Sequence, residues 1–367
     1  MIKNLPFTNG LVGFCSYTFG EQLQIKAKKI STTQPSKTQS FPTLSIGYFT
    51  WSYIYNHSEN AGSLIFSPLC SEQTRQKILN LIKEEPVSDH KLQTLSNLEW
   101  LKSQSFESYN KQFTKIQDYI NNGDCYQVNL TQRFEANSDA SAVDLYFDSR
   151  KEIQTPYSCY FSFNDKQQLL SFSPEQFISI NNKTIESKPI KGTIANNGTQ
   201  SNIELLKNSQ KNQAENVMIV DLIRNDLGKV CKSNTIHVPE LFKVESFKNV
   251  HHLVSHIKGT LKDEVTELEA FLACFPGGSI TGAPKIRSME IINELELFSR
   301  SAYCGSVFYL NQNGKFDSNI LIRTVIKNEN ELYCWAGGGI VADSEVQDEY
   351  QESLTKVANI TGISALT

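Results

Sequence analysis

With 367 residues, the chain is long enough to bury a large core, as one big domain or two smaller ones. Apolar content of 39% and charge content of 20% argue against a disordered protein. A net charge of −4, with Lys and Arg dispersed and no aromatics interleaved with a basic stripe, argues against a nucleic-acid partner and for a small molecule.

Eight scattered cysteines form no Cys-x-x-Cys and no clustered Cys/His spacing, so neither a disulfide framework nor a zinc site is expected. They read as small buried apolar residues. No apolar run reaches the roughly 18 residues of a membrane span, and Met1-Ile-Lys-Asn-Leu-Pro6 opens no signal peptide. A cytoplasmic protein is expected.

In chain order, residues 1–108 read as a β-rich N-terminal region. Leu44 to Tyr55 is rich in β-branched and aromatic residues, as a strand is, and follows a Ser/Thr/Gln loop from Ser31 to Ser40. Residues 71–95 look helical and charged. Residues 109–367 read as the main body. There, Tyr109 to Asn121 has helical spacing, with Gly123 as a stop. Strands are expected at Cys125 to Phe134, Tyr157 to Phe163, Leu169 to Phe172 and Phe177 to Ile180. A long helix runs from Ser201 to Leu227, closed by Gly228, and another begins near Ala283, where Pro284 fits the first turn. Strands recur at Ala302 to Leu310, Ile320 to Ile326 and Glu331 to Trp335, before a last helix from Gln347 to Asn359. Without regular βαβ alternation, this mixture predicts an α+β protein built on antiparallel sheets.

Several constellations bear on chemistry. Glu349 and Glu352, three apart, share one helix face, and Glu215 lies on the other long helix. Such carboxylates suit a hard cation, but the same spacing also describes a solvated helix face. Phe275 to Lys285 is glycine-rich and leads into a helix, as an anion cradle does, although Ala283-Pro284 replaces the Lys-Ser/Thr of a phosphate-binding loop. Ala336-Gly-Gly-Gly-Ile-Val341 reads as a second glycine turn, directly after a strand. Lys191, between Ile190 and Gly192, is either an exposed turn lysine or a desolvated nucleophile. Arg323 interrupts an apolar strand, facing solvent or a buried anion. His251 reads as an ordinary core histidine.

The order of these signals is more specific than any one of them. Gly123-Asp-Cys-Tyr-Gln-Val-Asn-Leu130, Ser173-Pro-Glu175, Lys188-Pro-Ile-Lys-Gly-Thr193 and Ala214 to Asp226 come first. His251-His-Leu-Val-Ser255, Pro276 to Lys285, Ile322-Arg-Thr324 and Ala336 to Asp343 follow, with the Glu349/Glu352/Lys356 helix. Together they resemble the chorismate-utilising enzymes: anthranilate and aminodeoxychorismate synthase components I, and the isochorismate and salicylate synthases. The likeness covers nearly all of residues 109–361.

The resemblance implies a fold of large antiparallel sheets forming a sandwich flanked by helices. Water-using relatives carry a lysine base at the position of Gln127, and an amide cannot activate water. Anthranilate synthases have alanine in the Pro-Ile-x-Gly-Thr motif, whereas lysine there, as Lys191, marks the aminodeoxychorismate branch.

By the same resemblance, Mg²⁺ would be held by Glu215 and Glu352 with Glu349 in support. Glu175 would be the general acid, and Lys191 the covalent nucleophile at C2. Arg323, Tyr309, Lys356 and Gly337, Gly338 and Gly339 would hold substrate carboxylates, with Gln127, Thr193, His252 and Thr281 lining the pocket. Ammonia would come from a partner glutamine amidotransferase, since the chain has no room for a glutaminase, and a lyase would act on the product. Two departures stand out. Ile194-Ala-Asn-Asn replaces a stretch that usually reaches an arginine, and the N-terminal region is short, so a regulatory tryptophan pocket is expected to be incomplete.

Overall fold

The computed structural model describes residues 5–24, 41–84, 92–196, 198–247 and 250–363. The loop expected from Ser31 to Ser40 lies outside these. Among the described residues the strands form two large antiparallel sheets and one separate hairpin.

The first sheet runs in the order Ile190–Ala195, Val250–Thr260, Thr184–Ser187, Gln176–Asn181, Phe316–Asn319, Ser306–Asn311, Gly10–Cys15 and Leu44–Phe49. His237–Ser246 pairs with Val250–Thr260 as well, and its Pro239 suits an edge position. The second sheet runs Gly282–Ala283, Gln127–Asn137, Glu331–Ile340, Thr324–Asn328, Gln167–Ser173 and Tyr157–Ser162, and Leu101–Lys102 pairs with Gln127–Asn137.

Side-chain alternation puts neighbours on opposite faces of a strand, and here both faces of the second sheet are buried. Leu169 and Trp335 join one apolar core with the first sheet and the Gln210–Val230 helix. Leu170 and Cys334 join another, beneath the Phe106–Asn121 and Val346–Thr361 helices. Those helices supply Tyr109, Phe113 and Ile116, and Tyr350, Leu354 and Val357, each a single stripe at helical spacing. The expected α+β sandwich with flanking helices is what forms, and all eight cysteines are free, seven of them buried.

Four local expectations change. The Leu44 to Tyr55 stretch is two strands, because the chain bends at Thr50 and Trp51–Asn56 leaves the sheet to pair with Ala61–Phe66. The long helix from Ser201 is broken at Ser209, whose side chain caps a new helix by accepting from the Asn212 N–H at 3.3 Å. Gly228 lies inside that second helix, which continues to Val230.

Gly337 to Gly339 are not a turn but the C-terminal part of the Glu331–Ile340 strand, paired with Gln127–Asn137. A Cβ on Gly337 would lie 2.1 Å from the Leu130 carbonyl oxygen, so glycine is what lets this strand approach its neighbour. His237–Ser246 and Phe316–Asn319 were not anticipated as strands. At the N-terminus, Gly10–Cys15 pairs with Ser306–Asn311, which places it in the same sheet as the strand carrying Lys191.

Candidate active site

Lys191 sits at an irregularity. Its strand pairs with Val250–Thr260, but the register shifts between Ile190 and Thr193, as in a β-bulge that re-aims a side chain. Gly192 makes the bulge with a φ of +79°, a conformation that favours glycine. A Cβ there would fall 2.9 Å from the Asn212 amide and 3.0 Å from Leu206 Cδ1.

The Lys191 side chain is half-buried and forms no hydrogen bond or ion pair with another described residue. Burial is the largest influence on it and pulls it below the ordinary lysine range. The charges of Glu215, Glu175 and Glu352 oppose that shift, and Lys356 adds to it. Sequence leaves both the turn lysine and the desolvated lysine open; the structure places Lys191 half-buried beside a register shift.

Glu175 lies where the chain passes from the second sheet to the first, between Gln167–Ser173 and Gln176–Asn181. Its backbone is pinned: its N–H donates to Ser173 Oγ at 3.2 Å and its carbonyl accepts from the Ile320 N–H at 3.1 Å. Burial pushes its carboxyl up to about 7, against the pull of Lys191, the Ile190 N–H, Ser279 and Arg323. A carboxylic acid poised there suits proton donation near neutral pH.

Arg323 precedes its strand with a φ of +51°, buried within electrostatic reach of Glu175. Burial holds its guanidinium below the ordinary range. Thr193 and His252 form a cross-strand pair, Oγ1 to Nδ1 at 2.8 Å. Burial, then Arg323 and His251, lower His252 to about 4, so it is neutral at neutral pH. His251 is buried against Ser246 Oγ at 2.8 Å, as a core histidine should be.

The second sheet supplies the other wall. Gln127 is fully buried, yet neither its Oε1 nor its Nε2 has a hydrogen-bond partner. A Cβ on Gly339 would meet Gln127 Nε2 at 1.7 Å, so glycine there leaves room for the amide. Beside Gly338, a Cβ would meet Glu349 Oε2 at 2.9 Å, Lys356 Nζ at 3.6 Å and Glu352 Oε1 at 3.9 Å. Gly338 and Gly339 are neighbours in a regularly paired strand, so the two carboxylates and the lysine lie against one face of it and the unsatisfied amide against the other.

Lys356 bridges Glu352 at 2.7 Å and the Gly337 carbonyl at 2.9 Å. Glu349 accepts from Ser344 at 2.8 Å and meets Lys211 at 3.5 Å. Burial, then the charge of Glu352, raises Glu349, whereas Lys356 and Lys211 outweigh burial at Glu352 and lower it.

Among the described residues no three metal-ligating side chains gather around one point. The donors that do converge are hard oxygens, Glu349 and Glu352 side by side, with Glu215 and Glu352 both acting on Lys191. That set fits a cation that draws its remaining ligands from water and substrate, as Mg²⁺ does.

Thr281 is fully buried, its hydroxyl donating to the Gly277 carbonyl at 3.1 Å. The lysine ending that glycine-rich loop, Lys285, is tied to Asp226 and to the Cys274 carbonyl at 2.9 Å. Tyr309 packs its ring edge-on against Phe7 and pairs with Asp317 on the adjoining strand. Sequence reasoning missed Asn129, Ser279, Glu296 and Arg300, which brace the glycine-rich loop. Only Asn129 carried a signal, two residues from Gln127 and so on the same strand face.

Residues 2–362 match the family described as chorismate binding enzyme. Aminodeoxychorismate synthase component 1 of Salmonella typhimurium is 40% identical over 361 residues, 97% of this chain and 77% of that protein. Anthranilate synthase component 1 of Lactococcus lactis is 32% identical over 371 residues, 97% of this chain and 79% of the relative. Among solved structures, anthranilate synthase component I from Streptococcus pneumoniae superposes with a TM-score of 0.85 at 32% identity, covering 97% of this chain and 81% of that one. The chain belongs to the chorismate binding enzyme family.

Proposed function

We propose that this chain aminates chorismate at C4, giving 4-amino-4-deoxychorismate for 4-aminobenzoate and folate synthesis. The observation that carries the reading is a half-buried, unpaired Lys191 within electrostatic reach of a Glu175 raised to about 7. Identities of 40% to an aminodeoxychorismate synthase and 32% to an anthranilate synthase favour the same branch.

In the proposed reaction the Lys191 amine bonds to C2, the ring double bonds shift, and the C4–O bond breaks. The oxygen leaves as water with the Glu175 proton. Ammonia then bonds to C4 and the C2–N bond breaks, returning Lys191 as a neutral amine. The spare proton on the new nitrogen returns to Glu175, which restores the starting state.

Arg323, Lys356 and the Gly337–Gly339 strand would bind substrate carboxylates, and His252, Thr193, Gln127 and Thr281 would shape the pocket. Tyr309, set against Phe7, would contribute only if substrate reaches that far. Glu215 and Glu352, with Glu349, would hold Mg²⁺, which when bound neutralises a substrate carboxylate.

The relatives' designation as component 1 supports a second component, here a glutamine amidotransferase delivering ammonia. A lyase would consume the product. No described helix is long and apolar enough to cross a membrane, in keeping with a cytoplasmic setting.

Chorismate, Mg²⁺ and ammonium supplied to the purified chain should give a product that an aminodeoxychorismate lyase converts to 4-aminobenzoate. Anthranilate formed without that lyase would instead establish the anthranilate synthase reading.

A further inference from the structure

The loop carrying Ser279 and Thr281 is tied to the Gln127–Asn137 strand through Asn129. The Asn129 N–H donates to the Thr281 carbonyl at 3.0 Å, and its Nδ2 donates to the Ser279 carbonyl at 3.1 Å. Arg300 clamps both partners, with Nη2 on the Asn129 carbonyl at 2.8 Å and Nη1 on the Ile280 carbonyl at 2.9 Å. Its guanidinium also forks onto Glu296, at 2.9 and 2.7 Å. Glu296 in turn accepts from the Thr131 N–H and hydroxyl at 3.1 and 2.8 Å. Arg300 and Glu296 are both buried, and each charge has its partner.

The braced loop presents the Ser279 hydroxyl to Glu175 Oε1 at 3.4 Å. That is long for an O–H···O bond, so its strength depends steeply on where the loop sits.

We infer that Asn129, anchored by the Arg300–Glu296 pair, is a positioning residue that fixes the Ser279 hydroxyl against the Glu175 carboxylate. The inference rests on Glu175 acting as the general acid. A hydroxyl donated to a carboxylate favours the ionised form, so this contact trims an acidity that burial sets too weak. Glu175 is also faced by Lys191, Arg323 and the Ile190 N–H. Asp226 lines the same cavity as Glu175 and Ser279, its charge met by Lys285 and Lys229.

The test is the pH profile of kcat/KM for chorismate, measured at constant free ammonia. Ser279→Ala should move the alkaline limb upward by less than about 0.5 pH unit, because a 3.4 Å contact is weaker than one ordinary hydrogen bond. Asn129→Ala should move it in the same direction by no more than that. The double variant should shift no further than Ser279→Ala, because both act through one contact. Asn129→Ser replaces Asn129→Ala if the latter fails to fold.

A limb unmoved in the Asn129 variants, with the rate lowered equally at every pH, would overturn the inference, as would additive shifts. Persistence of the wild-type limb in Glu175→Gln would overturn the general-acid reading itself, and this inference with it.

Discussion

Two lysines follow or precede glycine turns in this molecule, one buried and one half-buried, and their surroundings differ in kind. Lys285 has its ammonium on the Asp226 carboxylate and the Cys274 carbonyl, closing the glycine-rich loop onto the Gln210–Val230 helix. Lys191 is half-buried, its nearest anions act on it only at a distance, and it forms no hydrogen bond with a described residue. Burial lowers both, but Asp226 supports the charged form of Lys285 by direct contact. A paired buried lysine holds structure, and an unpaired one is free to react. The contrast teaches that burial alone does not mark a nucleophile; the missing partner does.

The comparison breaks most sharply under substitution. Lys191→Ala should reduce kcat by about 10³-fold, the scale of losing a covalent nucleophile, while unfolding free energy changes by less than about 1 kcal/mol. Lys285→Ala should reverse that pattern. Leaving Asp226 buried without its partner should cost about 3–5 kcal/mol in denaturant unfolding. Equal losses of stability in the two variants would erase the distinction.

A smaller effect sharpens it. With Glu175 as the proposed general acid, held at about 7 by burial, kcat should decline as pH rises through that value. Glu175→Gln should lose most of the rate, and the decline should disappear from what remains. Smallest is Gly192→Ala. Forcing an alanine to a φ of +79° against Asn212 should cost about 1–3 kcal/mol and turn Lys191 out of line, lowering kcat more than it raises KM.

Much of this was legible beforehand. The antiparallel sheets followed from strand patterning, and the helices at 106–121 and 346–361 from single apolar stripes. The Gly337–Gly339 run misled because three glycines signal a turn locally. What keeps them extended is ten paired positions along the Gln127–Asn137 strand, a long-range fact. The helix break at Ser209 was hidden for the opposite reason: a serine cap is a one-residue signal within a long helical pattern.

At the site, residue identities carried Lys191, Glu175 and the glutamates. Sequence could not show that Gln127 is buried without a hydrogen-bond partner, or that Lys356 and Lys211 sit on the two carboxylates. Arg300 and Glu296 were invisible because an i, i+4 charge pair on its own reads as a solvated helix face, and only the tertiary fold buries it.

The central claim is that Lys191 becomes covalently bonded to the substrate ring. Its direct measurement is the intact mass of the protein mixed with chorismate and Mg²⁺ in the absence of ammonia. The wild type should gain the mass of chorismate less one water, mapped by peptide digestion to Lys191, and Lys191→Ala should gain nothing. An adduct of unchanged mass in Lys191→Ala, or its mapping to another residue, would contradict the account.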